Sequence, residues 1–415
     1  LVAEPSWTRY DALGAGCRCY GFDWQRGRQS ELDVTNTGTA RVYFHDMAGT
    51  FLSGDFVGAQ IMLQLFDPVA SAWEPVFRGH IDDAHSNPSP GAPSLTNVQF
   101  DCVDIFDYLG GVRMVVGVFG DPGGPPGIVF YEDERVNLRL DALADDAGLD
   151  ADMYVHFDGN VTMLEAQYDP DDTILGAMRD AADAEFPSGI ANVYVDRFGR
   201  EVFHGRFAKI DPDGTSSGAE WDFTRWAAAT REDVTTGVAQ IREFQFNQPR
   251  SKVINSYVAW PVMDENHVDF DQDLIPTMVR TDSGSISTYG YRGQEAAALN
   301  IKDNFNNSNT GTEECVLFAE FYVANFADPL KAIERCTFKS LHPSDPRAAA
   351  GWELMTRADV SDIIALTVDE AGIAAEDYFI EGISGECRVG PPEYDFVTVT
   401  PNLSPAAYFD TDIFD

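Results

Sequence analysis

The sequence predicts a mainly β protein with α+β inserts. Three observations carry this expectation. β-Branched and aromatic residues alternate with period two near both ends, the spacing turns helical in between, and Gly/Pro-rich breaks separate the blocks. At 415 residues the chain can bury a large core, and length alone implies roughly two to four domains. The residues by themselves give β-rich modules at both ends with α+β segments between them.

The organising stretch is 24–66. A polar turn at Gly27-Arg28 leads to Leu32 and Val34, a Thr-Gly-Thr step, and then Ala40, Val42 and Phe44 in alternation. That pattern marks a half-buried strand. Breaks at 47–50 and at Gly54 and Gly58 flank Phe51, after which Ile61, Leu63 and Leu65 alternate again. These read as antiparallel strands with one face on a core. Residues 73–82 give another strand, and 94–103 set Val98, Phe100 and Cys102 on one side. Between them, SNPSPGAP at 86–93 is expected as a loop. A second breaker-rich segment, GDPGGPPG at 120–127, marks a loop or boundary. It is no phosphate cradle: Gly-Lys-Ser/Thr is missing, and its prolines remove the backbone donors a cradle needs.

The period then changes. Over 134–148, Val136, Leu140, Leu143 and Ala147 recur at helical spacing, and Gly148 suits a C-terminal stop. Asp171, Asp172 and Thr173 offer N-caps for a helix over 174–185, with Ile174, Leu175, Met178 and Ala182 on one stripe. In 191–203, Val193 and Val195 precede an Asp-Arg-Phe-Gly turn, and Val202 and Phe203 follow it, which predicts a hairpin. Residues 221–234 read as a connection. The β pattern returns at Ile241, Phe244 and Phe246, then at Val253, Asn255, Tyr257 and Ala259. Over 313–326, Phe318, Phe321, Tyr322 and Asn325 fall at helical spacing, and Asp328-Pro329 closes the segment. Its aromatic face reads as core packing and not as a cofactor box. Strands are expected around 363–368, 378–383 and 396–400.

Charge excludes several function classes. Asp and Glu number 68 against 28 Lys and Arg, for a net charge of −40. Lysine is confined to Lys209, Lys252, Lys302, Lys331 and Lys339. Such a surface repels phosphates and anionic membranes, so specific nucleic-acid binding is not expected. The acidity fits either an Arg-for-Lys coding bias or adaptation to high salt, where screening silences self-repulsion. No apolar run approaches the roughly 20 residues that span a bilayer. No basic leader opens the chain, and Leu1 in place of Met reads as a start inside the gene product. A soluble protein is expected. The cysteines Cys17, Cys19, Cys102, Cys315, Cys336 and Cys387 are scattered; Cys17 and Cys19 stand too close for a zinc pair, so free thiols are expected.

No catalytic, cofactor-binding or metal-binding residue is nominated. The histidines His45, His80, His85, His156, His204, His267 and His342 form no HExxH pair, and no Gly-x-Ser-x-Gly elbow occurs. With 68 carboxylates, acidic pairs arise by chance and cannot nominate a glycosidase. Asp269, Asp271 and Asp273 begin like a calcium loop, but Leu274 replaces the required Gly and Arg280 the required carboxylate.

A family resemblance rests on ordered short motifs. Gly27-Arg28, Leu32-Asp33, Gly38-Thr39-Ala40, Gly49-Thr50-Phe51 and Phe77-Arg78-Gly79-His80-Ile81 resemble a series in minor tail proteins (baseplate or tail-tip hubs) of long-tailed phages and phage-like particles. His45, Asp46 and Met47 stand where that family has Asn and Asp, and Leu52-Ser53 replaces Asp-Pro. The helix followed by an Asp-x-x-Gly hairpin resembles the middle of these proteins. Residues 288–292 (TYGYR) are similar to their Ser-x-Tyr-Gly-x-Arg step, and Ala358-Asp359-Val360 with 378–383 to their closing barrel. Leu-Gly-Asp is altered here to Arg357-Ala358-Asp359.

The resemblance implies two β-barrel-like, tail-tube-like modules with helix-containing inserts. The expected division is a hub module at 1–112, an α+β insert at 113–235, and a second module at 236–415 with a helical insert near 313–340. It implies a non-enzymatic virion protein without cofactors, a homo-oligomer and in this reading a trimer, assembled in the host cytoplasm and sited at the tail tip. The implied partners are the tail tube or distal tail ring protein, the tape-measure protein, and tip or receptor-binding proteins. Two alternatives stand beside it: a hexameric distal tail ring, and a secreted acidic carbohydrate-active enzyme or sugar-binding module.

Overall fold

In the computed structural model, the N-terminal alternation becomes one half of a long sheet. The structure describes residues 17–46, 51, 55–89, 92–115, 129–131, 134–157, 159, 161–163, 166–186, 190–210, 224–231, 238–261, 278–301, 312–329, 331–389 and 395–409. Strands β1 (Cys17–Gly27), β2 (Thr39–Asp46), β3 (Gln60–Asp67), β4 (Ala72–Ser89) and β5 (Ala92–Val103) open the fold, followed by helix α1 (Ile105–Gly111). Ala40, Val42 and Phe44 point inward, as their alternation requires. Phe44, Phe51 and Phe100 meet at centroid distances of 5.0–5.6 Å. Burying each such ring contributes about 2 kcal/mol.

The middle of the chain is the α+β insert. It holds β6 (Val129–Tyr131), β7 (Glu134–Arg135), α2 (Val136–Asp146), β8 (Tyr154–His156), β9 (Thr162–Met163), β10 (Ala166–Tyr168) and α3 (Ile174–Glu185). The hairpin β11 (Asn192–Val195) and β12 (Glu201–His204) and the short helix α4 (Phe207–Ile210) complete it. Thr173 is the N-cap of α3, its side chain accepting from the Gly176 N–H. β8 lies parallel to β12, a pairing that periodicity did not indicate.

The C-terminal part comprises β13 (Arg225–Thr230), β14 (Ile241–Asn247), β15 (Ser256–Pro261), β16 (Arg280–Thr281), α5 (Ser283–Tyr289), β17 (Gly293–Leu299), α6 (Thr312–Phe326) and β18 (Ala332–Lys339). Helix α7 (Ala348–Arg357), β19 (Ile363–Val368), β20 (Ile373–Arg388) and β21 (Phe396–Pro405) finish it. The large sheet runs β14-β18-β21-β20-β1-β2-β5-β4-β3, with β13 and β19 branching from β20. The first and second β regions are thus one sheet, joined where β1 pairs with β20. This is the mainly β architecture with α+β inserts that the sequence predicts. Among the described residues the sheet does not close into a barrel: β13 returns to β14 only through a Thr230–Gln240 bridge. One apolar core, including Phe22, Trp24, Phe77, Trp352 and Ile380, lies against strands of both regions.

Several local expectations are corrected. The turn expected at Gly27-Arg28 is present, but it closes a strand that the alternation did not show: β1 runs up to Gly27, and a bulge between Cys19 and Gly21 breaks its period. The loop expected at 86–93 is strand almost to its tip, since Ser89 pairs with Ala92. The connection expected at 221–234 contains β13, laid parallel against β19. The segment leading into TYGYR is helix α5, whose N-cap Asp282 accepts from the Ser285 N–H. The glycine- and proline-rich segment 120–127 and the acidic triad Asp269, Asp271 and Asp273 lie outside the described residues.

Candidate functional site

The candidate site is a buried ionic junction where both β regions and the insert meet. It begins at the end of β1. Gly27 has φ +79°, and a Cβ there would stand 2.5 Å from the Glu381 carbonyl oxygen. Only glycine takes that turn without strain. The turn sends Arg28 inward, where its backbone N–H donates to the Glu381 carbonyl at 2.8 Å and its Nε to Glu381 Oε2 at 2.7 Å.

Glu381 on β20 is the centre of the junction. Lys209 of α4 donates from Nζ to Oε1 at 2.5 Å, and Ser404 of β21 donates its hydroxyl to the same oxygen. Burial would raise this carboxyl, but the Arg28 and Lys209 charges and the hydrogen bonds from Lys209 and Ser404 pull it down to about 2. Burial pushes Lys209 down to about 8, against the pull of Glu381. Beside them Lys252 lies 3.2 Å from the buried Glu31 and 3.7 Å from Glu334 of β18. Burial raises the Glu31 carboxyl, opposed by Lys252.

A second contact holds the tip of the β11–β12 hairpin. Asp196 accepts from the N–H groups of Phe198 and Arg200, shaping the turn at Gly199. Arg197 donates its backbone N–H to Asp359 at 2.8 Å and reaches Glu74 of β4 at 3.3 Å. Arg26 of β1 reaches the other Asp359 oxygen at 2.6 Å, and Arg357 reaches Glu74 at 3.0 Å. The insert is thereby tied to both β regions at once. Nearby Asp362 accepts from Thr224 N, Asp359 N and Trp226 Nε1; burial nonetheless pushes it up to about 7.

Two further buried pairs stiffen the insert. Arg206 joins Glu185, at the end of α3, to Glu314 of α6 at 3.3 and 2.7 Å. His156 of β8 lies between Asp141, 2.8 Å from its Nδ1, and Glu201, against its Nε2. Burial alone would lower this imidazole, but Glu201 and Asp141 carry it up to about 9. Both ring nitrogens are occupied by carboxylates, so the ring has no free position for a general base. The geometry of the junction suits holding segments together, with each cation facing a carboxylate. Among the described residues no group of three or more His, Cys, Asp or Glu could hold a metal ion. The cysteines Cys19, Cys102, Cys315, Cys336 and Cys387 are in no disulfide. No described helix is long and apolar enough to cross a membrane.

Some of the motif residues read from sequence converge here, while Gly38-Thr39-Ala40 and 288–292 lie elsewhere and Gly49-Thr50 lies outside the described residues. Gly27, Arg28, Asp359 and Glu381 are parts of the junction, and Arg78 lies under Gly199, whose added Cβ would come within 2.8 Å of it. Sequence reasoning missed Glu31, Arg197, Lys209 and Lys252. One signal was present: of only five lysines in the chain, Lys209 and Lys252 both stand in this junction.

No family model matches the chain, and no curated protein does. Solved structures do. A tail protein from Neisseria meningitidis MC58 is 10% identical and superposes with a TM-score of 0.54, covering 92% of each chain. The chain shares the fold of a tail protein. Prophage tail protein gp18 from Listeria monocytogenes EGD-e is 9% identical with a TM-score of 0.43, covering 91% of this chain and 87% of that one. The E. coli c3393 protein, a type VI secretion component described as similar to T4 tail proteins gp27 and gp5, is 8% identical with a TM-score of 0.46. It covers 96% of this chain and 77% of its own.

Proposed function

We propose that this chain is a structural, non-enzymatic component of a phage or phage-like tail, acting as a hub at the tail tip. The observation that carries this is the end-to-end fold likeness to a tail protein, over 92% of both chains. Four motif residues, Gly27, Arg28, Asp359 and Glu381, support it, because they lie in the ionic junction that fastens the β regions and the insert. In this reading 1–112 and 236–415 are the two tube-like modules and 113–235 the insert. Three chains form a ring that joins the tail tube or distal tail ring to tip and receptor-binding proteins. The ring is assembled in the host cytoplasm and resides in the virion.

The charge of −40 has a place in this scheme. Carboxylates along a bore repel DNA phosphates, so a passing genome does not adhere. Multi-angle light scattering at native and molar salt, followed by low-resolution electron microscopy, tests the proposal. A threefold ring is the expected result. A sixfold ring would move the chain to the distal-ring role, and a monomer at high concentration would end the hub reading. A basic bore wall would overturn the charge argument alone.

A further inference from the structure

We propose that the loop 290–292, between α5 and β17, together with Arg250 is a binding site for a carboxylate-bearing saccharide. Tyr291 stacks on a sugar ring, and Arg250 and Arg292 take its carboxylate. The site stands apart from the ionic junction and does not depend on the hub reading. Its base is Asn255, which is fully buried. Asn255 Oδ1 accepts from the Arg292 N–H at 2.7 Å, and its Nδ2 donates to the Gly290 carbonyl at 2.8 Å. The Asn255 and Ser256 N–H groups both donate to the Arg292 carbonyl, at 3.1 and 3.2 Å. Gly290 has φ +78°, which a side chain would strain. The loop is therefore fixed before a ligand arrives, and binding has little left to order.

Tyr291 is 70% exposed, and the tip of its ring leans on Gly293, where an added Cβ would stand 2.5 Å from Oη. A single exposed ring carries no meaning by itself. Here two cations without counter-ions accompany it. Arg250 Nη2 donates to the Tyr289 carbonyl and would stand 3.6 Å from a Cβ at Gly290, so its guanidinium sits next to Tyr291. Arg250 and Arg292 are both exposed, and among the described residues neither forms an ion pair, in a chain with 68 carboxylates. Lys252, two positions from Arg250, is by contrast committed to Glu31 and Glu334. Asp282 is occupied as the cap of α5. A guanidinium offers parallel N–H groups to a carboxylate, and the electron-rich face of a tyrosine attracts the polarised C–H groups of a sugar ring. The net charge of −40 opposes a polyanion. The Debye length is about 8 Å at physiological salt, so one carboxylate seated beside two guanidiniums is governed by them. Residues 290–295 are exposed throughout, an open setting that suits a stacked ring better than a peptide, whose side chains need pockets.

Saturation-transfer NMR and calorimetry on the full chain test this with four probes: 3′-sialyllactose, digalacturonate, lactose as the neutral control, and a hexaglutamate peptide. At least one acidic saccharide is expected to bind about tenfold more tightly than lactose, the size of effect a charged hydrogen bond gives. Tyr291→Ala, Arg250→Gln and Arg292→Gln are each expected to weaken that binding about tenfold and to leave Tm unchanged, since all three side chains are exposed. Phe396→Ala, at a ring 53% exposed on β21, controls for stacking anywhere on the surface and should bind like the parent. No binding of either acidic saccharide would overturn the proposal. So would equal binding of lactose, or undiminished binding by Tyr291→Ala. Tighter binding of hexaglutamate than of both acidic saccharides would assign the loop to an acidic protein segment and overturn it as well.

Discussion

Replacing Glu381 by Gln tests the junction directly. The substitution keeps the shape and removes the charge that faces Arg28 and Lys209, whose side chains are 0% and 3% exposed. Two buried cations then lose their counter-ion. Breaking one partner of a buried pair costs about 3–5 kcal/mol, most of it from the charge left behind. Unfolding entropy near the midpoint is about 2.1 cal/mol/K per residue, so a loss of about 4 kcal/mol lowers Tm by about 5 °C if the chain melts as one unit. Scanning calorimetry reads this, with Glu386→Gln as control, since its partner Arg388 lies 2.5 Å away on the surface. The control is expected to stay within about 1 kcal/mol of the parent. Glu381 also carries a pH signature. Its folded value of about 2 lies below the ordinary 4.5, so its stabilisation is present above pH 4.5 and lost as pH falls through about 2. The variant should lack that acid-side slope. A triple change, Arg28→Met with Lys209→Met and Glu381→Leu, is expected to recover most of the loss, because apolar packing replaces a buried ion cluster at little cost. If Glu381→Gln melts together with Glu386→Gln, the junction does not hold the segments and the reasoning fails.

Three other outcomes are expected. His156 has a folded value of about 9 against an ordinary 6.5, so its contribution is complete below pH 6.5 and disappears as pH rises through about 9. Urea titrations should show that alkaline slope in the parent and its absence in His156→Gln; an unchanged slope would assign the effect elsewhere. Gly27→Ala should lose about 1–3 kcal/mol or more, since it adds left-handed strain to a 2.5 Å clash with the Glu381 carbonyl. A wild-type melting curve for that variant would mean the turn relaxes. Finally, Tm and assembly should both rise between low and molar salt, because the Debye length shrinks from about 30 Å at 0.01 M to about 3 Å at 1 M. A neutral osmolyte is the control: an equal gain from it would point to general exclusion from the surface and not to screening of the −40 charge.

The sequence by itself determined which segments have a buried face. Ala40, Val42 and Phe44 alternate because one side of β2 is covered, and Phe318, Phe321 and Tyr322 recur at helical spacing because one side of α6 is. Such periodicity is local, so it survives without knowledge of partners. It fails where local geometry breaks the count. The bulge between Cys19 and Gly21 hides β1, and in β11 and β12, where both faces are buried, the Asp-x-x-Gly turn between Val195 and Val202 is what marks the hairpin. Helix α7 escaped because Gly351 weakens it and Arg347 gives no side-chain cap. What only the tertiary structure decided is which segments meet. Arg28 and Glu381 are 353 positions apart, and Lys209 is 172 from Glu381. A carboxylate in a chain with 68 of them looks the same in sequence whether it is solvated or faces two buried cations. Its role is set by burial, which raises the cost of an unpaired charge, and burial belongs to the packed fold and not to any window of the chain.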